Sequence, residues 1–260
     1  MMKALTTAAT GMAAQQTNVD VVANNLANVN TTGFRRSRAE FQDLIYQTLR
    51  APGAPAGDGA TLPTGLQIGQ GTRVVSTAQI QMQGSLVQTD GHLDIAIEGA
   101  GFIQVTRPSG EIGYTRAGNL KTDADGRLVT VDGYAVEPAI TIPPDATGVT
   151  ISPSGVISVT QPGQAAAQQV GQITLAGFAN PAGLLALGRS TFQASDASGQ
   201  PMVAKPGEEG LGTVAQGFLE GSNVEVVNEM IDLIASQRAY EVNQKVIEAA
   251  DQMLRRVADR

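Results

Sequence analysis

Apolar residues return at every seventh position near both ends of the chain and at every second position through much of its middle. Near the N-terminus Leu5, Met12, Val19 and Leu26 make one row, and Ala8, Val22 and Val29 a second, with Gln15 the polar exception. This spacing lays one apolar stripe along an α-helix. A helix over residues 3–27 would run roughly 37 Å at ~1.5 Å per residue, and Thr31, Thr32 and Gly33 are expected to end it. Near the other end Val226, Leu233, Tyr240, Ile247 and Leu254 stand at strict sevens. Ala235, Ala239, Val242, Val246, Ala249 and Met253 flank them as a second row. Two rows about 100° apart make a face too wide for a simple dimer seam, so this helix is expected to touch more than one neighbour. Ser222, followed three residues later by Glu225, reads as a capping box in front of it.

Between the helices the period changes to two. Leu93, Ile95 and Ile97 alternate with Asp94, Ala96 and Glu98, and short strands are predicted at residues 102–105, 112–115, 128–131, 149–151, 156–159 and 172–175. Turn dipeptides separate them: Asp90-Gly91, Asp125-Gly126, Asp132-Gly133, Ser154-Gly155 and Asn180-Pro181. An antiparallel β domain follows from this pattern. Residues 51–71, APGAPAGDGATLPTGLQIGQG, show neither period. Their composition fits a flexible linker, but Leu62, Leu66 and Ile68 would be wasted on a solvated tether, and an extended arm docked on a partner accommodates them better.

The fold class expected is therefore α+β: long N- and C-terminal helices, paired in coiled-coil fashion, flanking a central antiparallel β domain, with an extended Gly/Pro-rich arm. The corresponding segments are 1–33 for the first helix, 34–71 for a joint and the arm, 72–221 for the β domain and 222–260 for the last helix. Neither helix has a sequence-adjacent helix to cover its stripe. The two are expected to pack on each other and on copies from other molecules.

Composition narrows the function. The 260 residues contain no Cys and a single His, which removes disulfides, thiol chemistry and His-based metal clusters. A formal charge of -7 argues against broad nucleic-acid binding, which needs a basic footprint. No segment approaches the roughly 18 consecutive apolar residues of a membrane span, and no apolar h-region of a cleavable signal peptide follows Lys3. The chain lacks a GxSxG elbow and a P-loop, and Gly99-Ala100-Gly101 and Gly69-Gln70-Gly71 lack the third glycine of a dinucleotide site. Asp123-Ala124-Asp125-Gly126 opens like a calcium loop, but Arg127 follows and no bidentate Glu stands at the needed offset, so a hairpin turn is the simpler reading. Asn30-Thr31-Thr32 matches a glycosylation sequon and equally a helix-ending turn. No cofactor, metal or catalytic residue is expected.

Asn24, Asn25, Asn28 and Asn30 crowd the end of the first helix, although Asn is a middling helix former. Asparagines around Leu26 and Val29 can hydrogen-bond across helices that repeat in an assembly and fix their register, or they can cap a frayed helix end. Arg35, Arg36 and Arg38 precede Glu40 and Asp43, and they are expected to pair within that segment or with a neighbour's acids, contributing ~0 to 1 kcal/mol per exposed pair.

Two stretches carry a resemblance. AATGMAAQQTNVDVVANNLANVNTTGFRRSRAEFQDLIYQTLRAPG is similar to the N-terminal signature of the axial proteins of the bacterial flagellum, the rod and hook family, and SNVEVVNEMIDLIASQRAYEVNQKVIEAADQML resembles that family's C-terminal end. Residues 46–71, with LPTGLQIGQG, resemble a rod-specific extension that hook proteins lack. The resemblance covers both ends strongly and the β middle loosely. It implies a self-assembling subunit of the distal rod, a drive shaft spanning the periplasm. The terminal helices would line a tube around an export channel, subunits would leave the cell by the flagellar type III route, and the arm would lock neighbours. Implied partners are further copies in a helical tube, proximal rod proteins, hook or hook-junction subunits, the surrounding P- and L-rings and the export apparatus, with no nucleic acid and no membrane insertion. Assembly contacts are expected at Leu5, Met12, Val19, Asn25 and Leu26 on the first helix and at Leu233, Tyr240, Ile247 and Leu254 on the last. Leu62, Leu66 and Ile68 are expected to dock the arm, and Arg35 and Arg36 to form the joint. The alternatives are a hook or proximal rod subunit, or, from another class, a secreted β-domain binding or glycan-active module.

Overall fold

The computed structural model of the chain describes residues 2–53, 55–57, 60–61, 63–162 and 166–258. Helix α1 (Met2–Ala27) and helix α2 (Val226–Ala258) stand at the two ends of a β-rich chain, which makes the fold α+β. Two compact units share the residues: one gathers 1–27, 37–78 and 225–260, and the other 28–36 and 79–224.

In the first unit α1 lies along α2. The described residues from Ser37 to Gln79, where the sequence suggests an extended arm, include a nested β ribbon. Strand β1 (Ser37–Asp43) pairs with β6 (Thr72–Gln79), β2 (Tyr46–Arg50) with β5 (Leu66–Gly69), and β3 (Pro55–Gly57) with β4 (Ala60–Thr61). Tyr46 faces Gly69, Gln47 faces Ile68 and Thr48 faces Gln67 in antiparallel register. The base of the ribbon packs on α1 through buried Ala39. There Thr10 Oγ1 accepts a hydrogen bond from Thr72 N at 3.4 Å. Gly71 beside it adopts φ +113°, and a Cβ at that position would stand 2.1 Å from Thr10 Oγ1, so the close approach requires glycine.

The second unit is an antiparallel β domain. Among its described residues the largest sheet has nine strands, centred on Phe102–Thr106, which pairs with Ile112–Thr115, Ala135–Glu137 and Leu175–Gly177. Gly148–Ile151, Val156–Thr160 and Gln168–Gln172 form a second sheet, and Ile95–Glu98 pairs with Thr213–Gln216. Ile95, Ile97, Ile103, Val105, Ile157, Val159, Ile173 and Leu175 meet in the main core with at most 1% exposure. Alternation in the sequence points these residues inward because successive side chains on a strand face opposite sides. A smaller aromatic cluster joins Phe102, Tyr114, Phe178 and Phe192 through edge-to-face contacts with centroids 4.8 to 5.9 Å apart.

The capping box read at Ser222 is not formed. The helix begins at Val226, so Glu225 precedes it instead of standing in its first turn. The Glu225 carbonyl accepts the first helical bond, from Glu229 N at 3.0 Å, and its carboxylate accepts from the Asn228 side chain at 2.5 Å. Ser222 Oγ accepts from Val224 N at 3.3 Å, a local turn.

Candidate functional site

Three features of the structure bear on function: the seam between the helices, a buried charge cluster in the β unit, and the apolar surface that a single chain leaves open.

Polar and small residues build much of the seam. Asn25 is 1% exposed and Glu229 2%. Asn25 Nδ2 donates to Glu229 Oε2 at 3.0 Å and to the Ser37 carbonyl at 2.8 Å, while its Oδ1 accepts from Ser37 N at 2.9 Å. One side chain thus joins α1, α2 and β1. Seven residues away on each helix Asn18 Nδ2 donates to Ser236 Oγ at 2.7 Å, and Ser236 is 4% exposed. A further seven along, Gly11 faces Asn243, and a Cβ on Gly11 would stand 2.9 Å from Asn243 Nδ2. Asn25 therefore bonds across helices within one chain.

Leu5, Met12, Val19 and Leu26 are half-buried along α1, as are Leu233, Ile247 and Leu254 along α2, whereas Tyr240 is 39% exposed. The second α2 row read from sequence turns away from α1. Val242, Val246 and Met253 are exposed, and Val227, Met230, Ile231 and Ile234 extend the same outward face. At ~100° per residue Val227, Ile231 and Ile234 lie opposite Glu229 and Ser236, while Met230, Val246 and Met253 flank the seam. On the ribbon Leu66 and Ile68 are exposed together with Phe41, Ile45, Tyr46 and Leu49. Leu62 lies outside the described residues.

Arg35 does not pair with nearby Glu40 or Asp43. It is fully buried and donates from Nη2 to Glu220 Oε1 at 2.6 Å. Arg116 Nε donates to Glu220 Oε2 at 2.8 Å, and Gly84 N donates to Oε1 at 2.9 Å. The remaining Arg116 donors reach the carbonyls of Ile97, Gly99 and Gly101. Burial lowers the Arg116 pKa below its ordinary value; the Glu220 carboxylate opposes that shift and the Arg35 guanidinium adds to it. Among the described residues Arg35 Nε and Nη1 have no hydrogen-bond partner. Two guanidiniums thus share one buried carboxylate, and Glu220 is the group on which both depend. Gly33, at φ +69°, allows this approach: a Cβ there would stand 2.8 Å from Ala117 N. Arg36 is half-buried, and its N–H donates to Asn223 Oδ1 at 2.7 Å. Asn223 Nδ2 donates to the Ile80 and Met82 carbonyls at 2.8 and 3.0 Å, so one side chain ties three segments. Its role was hidden in the sequence by the apparent capping box.

His92 lines an open groove of about 620 Å³ with Leu93, Asp94, Leu120 and Asp123. Its carbonyl accepts from Gln216 Nε2 at 2.7 Å. Asp123 and Asp125 bind Arg127, each at 2.9 Å, so the calcium-like loop is a hairpin turn closed by its own arginine. Among the described residues no group of three or more acidic or His side chains could hold a metal, and no helix is long and apolar enough to cross a membrane.

Three family models match separate parts of the chain. The family described as flagella basal body rod protein matches residues 5–35, the flagellar hook protein FlgE/F/G D1 domain matches 96–159, and the flagellar basal body rod FlgEFG protein C-terminal family matches 215–260. The flagellar basal-body rod protein FlgG of Caulobacter vibrioides is 53% identical over 97% of both chains. The chain belongs to the flagellar basal-body rod protein family. Similarity to the rod protein FlgG of Bacillus subtilis, 37% identical, also extends over 100% of this chain and 99% of the relative. A hook protein, FlgE of Helicobacter mustelae, is 42% identical over 53% of this chain and only 30% of its own length. Full-length likeness is thus to rod proteins, and the rod family is one of structural subunits.

Proposed function

We propose that this chain builds the distal part of the flagellar rod in the basal body, as a purely structural subunit that polymerises into a straight tube, encloses the export channel and transmits torque across the periplasm. The outward apolar face of α2 carries the reading. Val227, Ile231, Ile234 and Val242 are half or more exposed along one side of a helix whose other side is occupied by α1. An apolar stripe of that length is costly in water and is relieved when copies stack side by side. In the polymer α1 and α2 form a coiled-coil-like pair in the tube wall, and Leu5, Met12, Val19 and Leu26, half-buried in one chain, complete their burial against neighbours. The proximal rod, the hook or its junction, and the P- and L-rings are the partners this reading implies.

The ribbon supplies the arm. A two-stranded ribbon is marginally stable alone, and Leu66 and Ile68 reach full burial only against another subunit. Replacing residues 47–68 with a short glycine-rich turn keeps the base at β1 and β6, and the resulting rods should be flexible or curved in electron micrographs. Straight rods from this variant would remove the ribbon from the assembly contacts.

A further inference from the structure

Contacts across the helix seam repeat in step: each advance of seven residues along α1 is matched by seven in the opposite direction along α2. Asn25 meets Glu229, Asn18 meets Ser236 and Gly11 meets Asn243. In the same register the layers between them set Val22 near Leu233, Gln15 near Tyr240 and Ala8 near Ile247. We infer that the three polar layers are a register key, the residues that select one alignment of the two ends out of those the apolar layers would accept.

The physical reason lies in how the two kinds of layer respond to a slide of seven residues. Apolar layers trade Leu233 for Tyr240 or Val226 at little loss, since hydrophobic contact is non-directional. The polar layers differ from one another, and no slide keeps all three: one direction offers Asn25 only Ser236, and the other moves Glu229 to Asn18. In one direction Glu229 loses Asn25 and passes the end of α1, so the bond that joins the two helices there is given up. Asn243, which fits because its neighbour is a glycine, then faces Asn18. In the other direction Asn25 loses Glu229 and faces residues ahead of α2. Asn25 also holds both backbone groups of Ser37, so the alignment chosen by the helices fixes the start of β1 and, with it, the ribbon. A single buried Asn is enough to set register in coiled coils. Here three unlike pairs perform that task within one chain, and the inference stands on that chain whether or not it polymerises.

The chain has no cysteine, so introduced pairs report alignment directly. In dilute full-length protein treated with a short bis-maleimide, Gln15→Cys with Tyr240→Cys should give the intrachain product, while Gln15→Cys with Leu233→Cys or with Ile247→Cys should give little. In a background carrying Asn18→Leu, Asn25→Leu, Glu229→Leu, Ser236→Leu and Asn243→Ala, which removes all three polar layers and keeps the helices able to pair, the two shifted products should rise by about tenfold or more. An unchanged single product in that background would overturn the key. Failure of the 15–240 product with the native seam would overturn it too. Complete loss of product in the leucine background would make these residues the source of pairing itself, and would likewise contradict the inference.

Discussion

Glu220→Gln is expected to destabilise the β unit by roughly 3–5 kcal/mol, the range for removing one partner of a buried ion pair. Arg35 and Arg116 are both buried and both bind this carboxylate, at 2.6 and 2.8 Å. The substitution keeps the shape and removes the charge, so two guanidiniums remain in a site of low polarity. Urea unfolding of the purified chain, followed through the β signal, measures the change as a lower midpoint at unchanged slope. Combining Glu220→Leu with Arg35→Met and Arg116→Met should recover most of the loss, because apolar packing often substitutes for a buried charge cluster without penalty. A loss under about 1 kcal/mol for Glu220→Gln would mean that the cluster is hydrated like a surface pair.

The second large effect belongs to assembly. Ile231→Asp together with Ile234→Asp places two charges on the outward face of α2, where both residues are at least half exposed. Exposed substitutions of this kind change monomer stability by only about 0.5 kcal/mol. Assembly should nevertheless be lost, since each copy would bury an unpaired carboxylate against its neighbour. Cells carrying the double variant should be non-motile and should lack complete rods in micrographs, while the purified chain unfolds at its usual midpoint. Motile cells with normal rods would show that this face is not an inter-subunit contact. Ile247→Asp is a less clean probe, because Ile247 is half-buried on the side facing α1.

Several elements were legible in the sequence because one physical signal dominates them. Both helices follow from heptad spacing, and the strand Ile112–Thr115 coincides with its expected range. The seam itself was not legible. Counting apolar residues found the row of Leu233, Ile247 and Leu254, but it chose Ala235, Val242 and Val246 as the companion row. The companion that faces α1 is Glu229, Ser236 and Asn243, which no hydrophobic count selects. Asn25 is out of place on a helix surface by its residue type alone, but nothing local in the sequence points to its partner Glu229, 204 residues away.

Arg35 shows the same difficulty with charge. Glu40 and Asp43 were the acids at hand, whereas its partner Glu220 is 185 residues distant. Long-range pairing leaves no local trace. In the ribbon the strands are short and exposed on both faces, so neither side imposes the alternation that marks a half-buried strand. Glycines and prolines there concealed paired strands behind the composition of a linker.

Electron microscopy of basal bodies from a strain lacking this chain tests the central claim most directly. The expected bodies stop at a short proximal rod and carry no hook. Complete rods that lack only the hook, or intact flagella, would contradict the assignment of this chain to the distal rod.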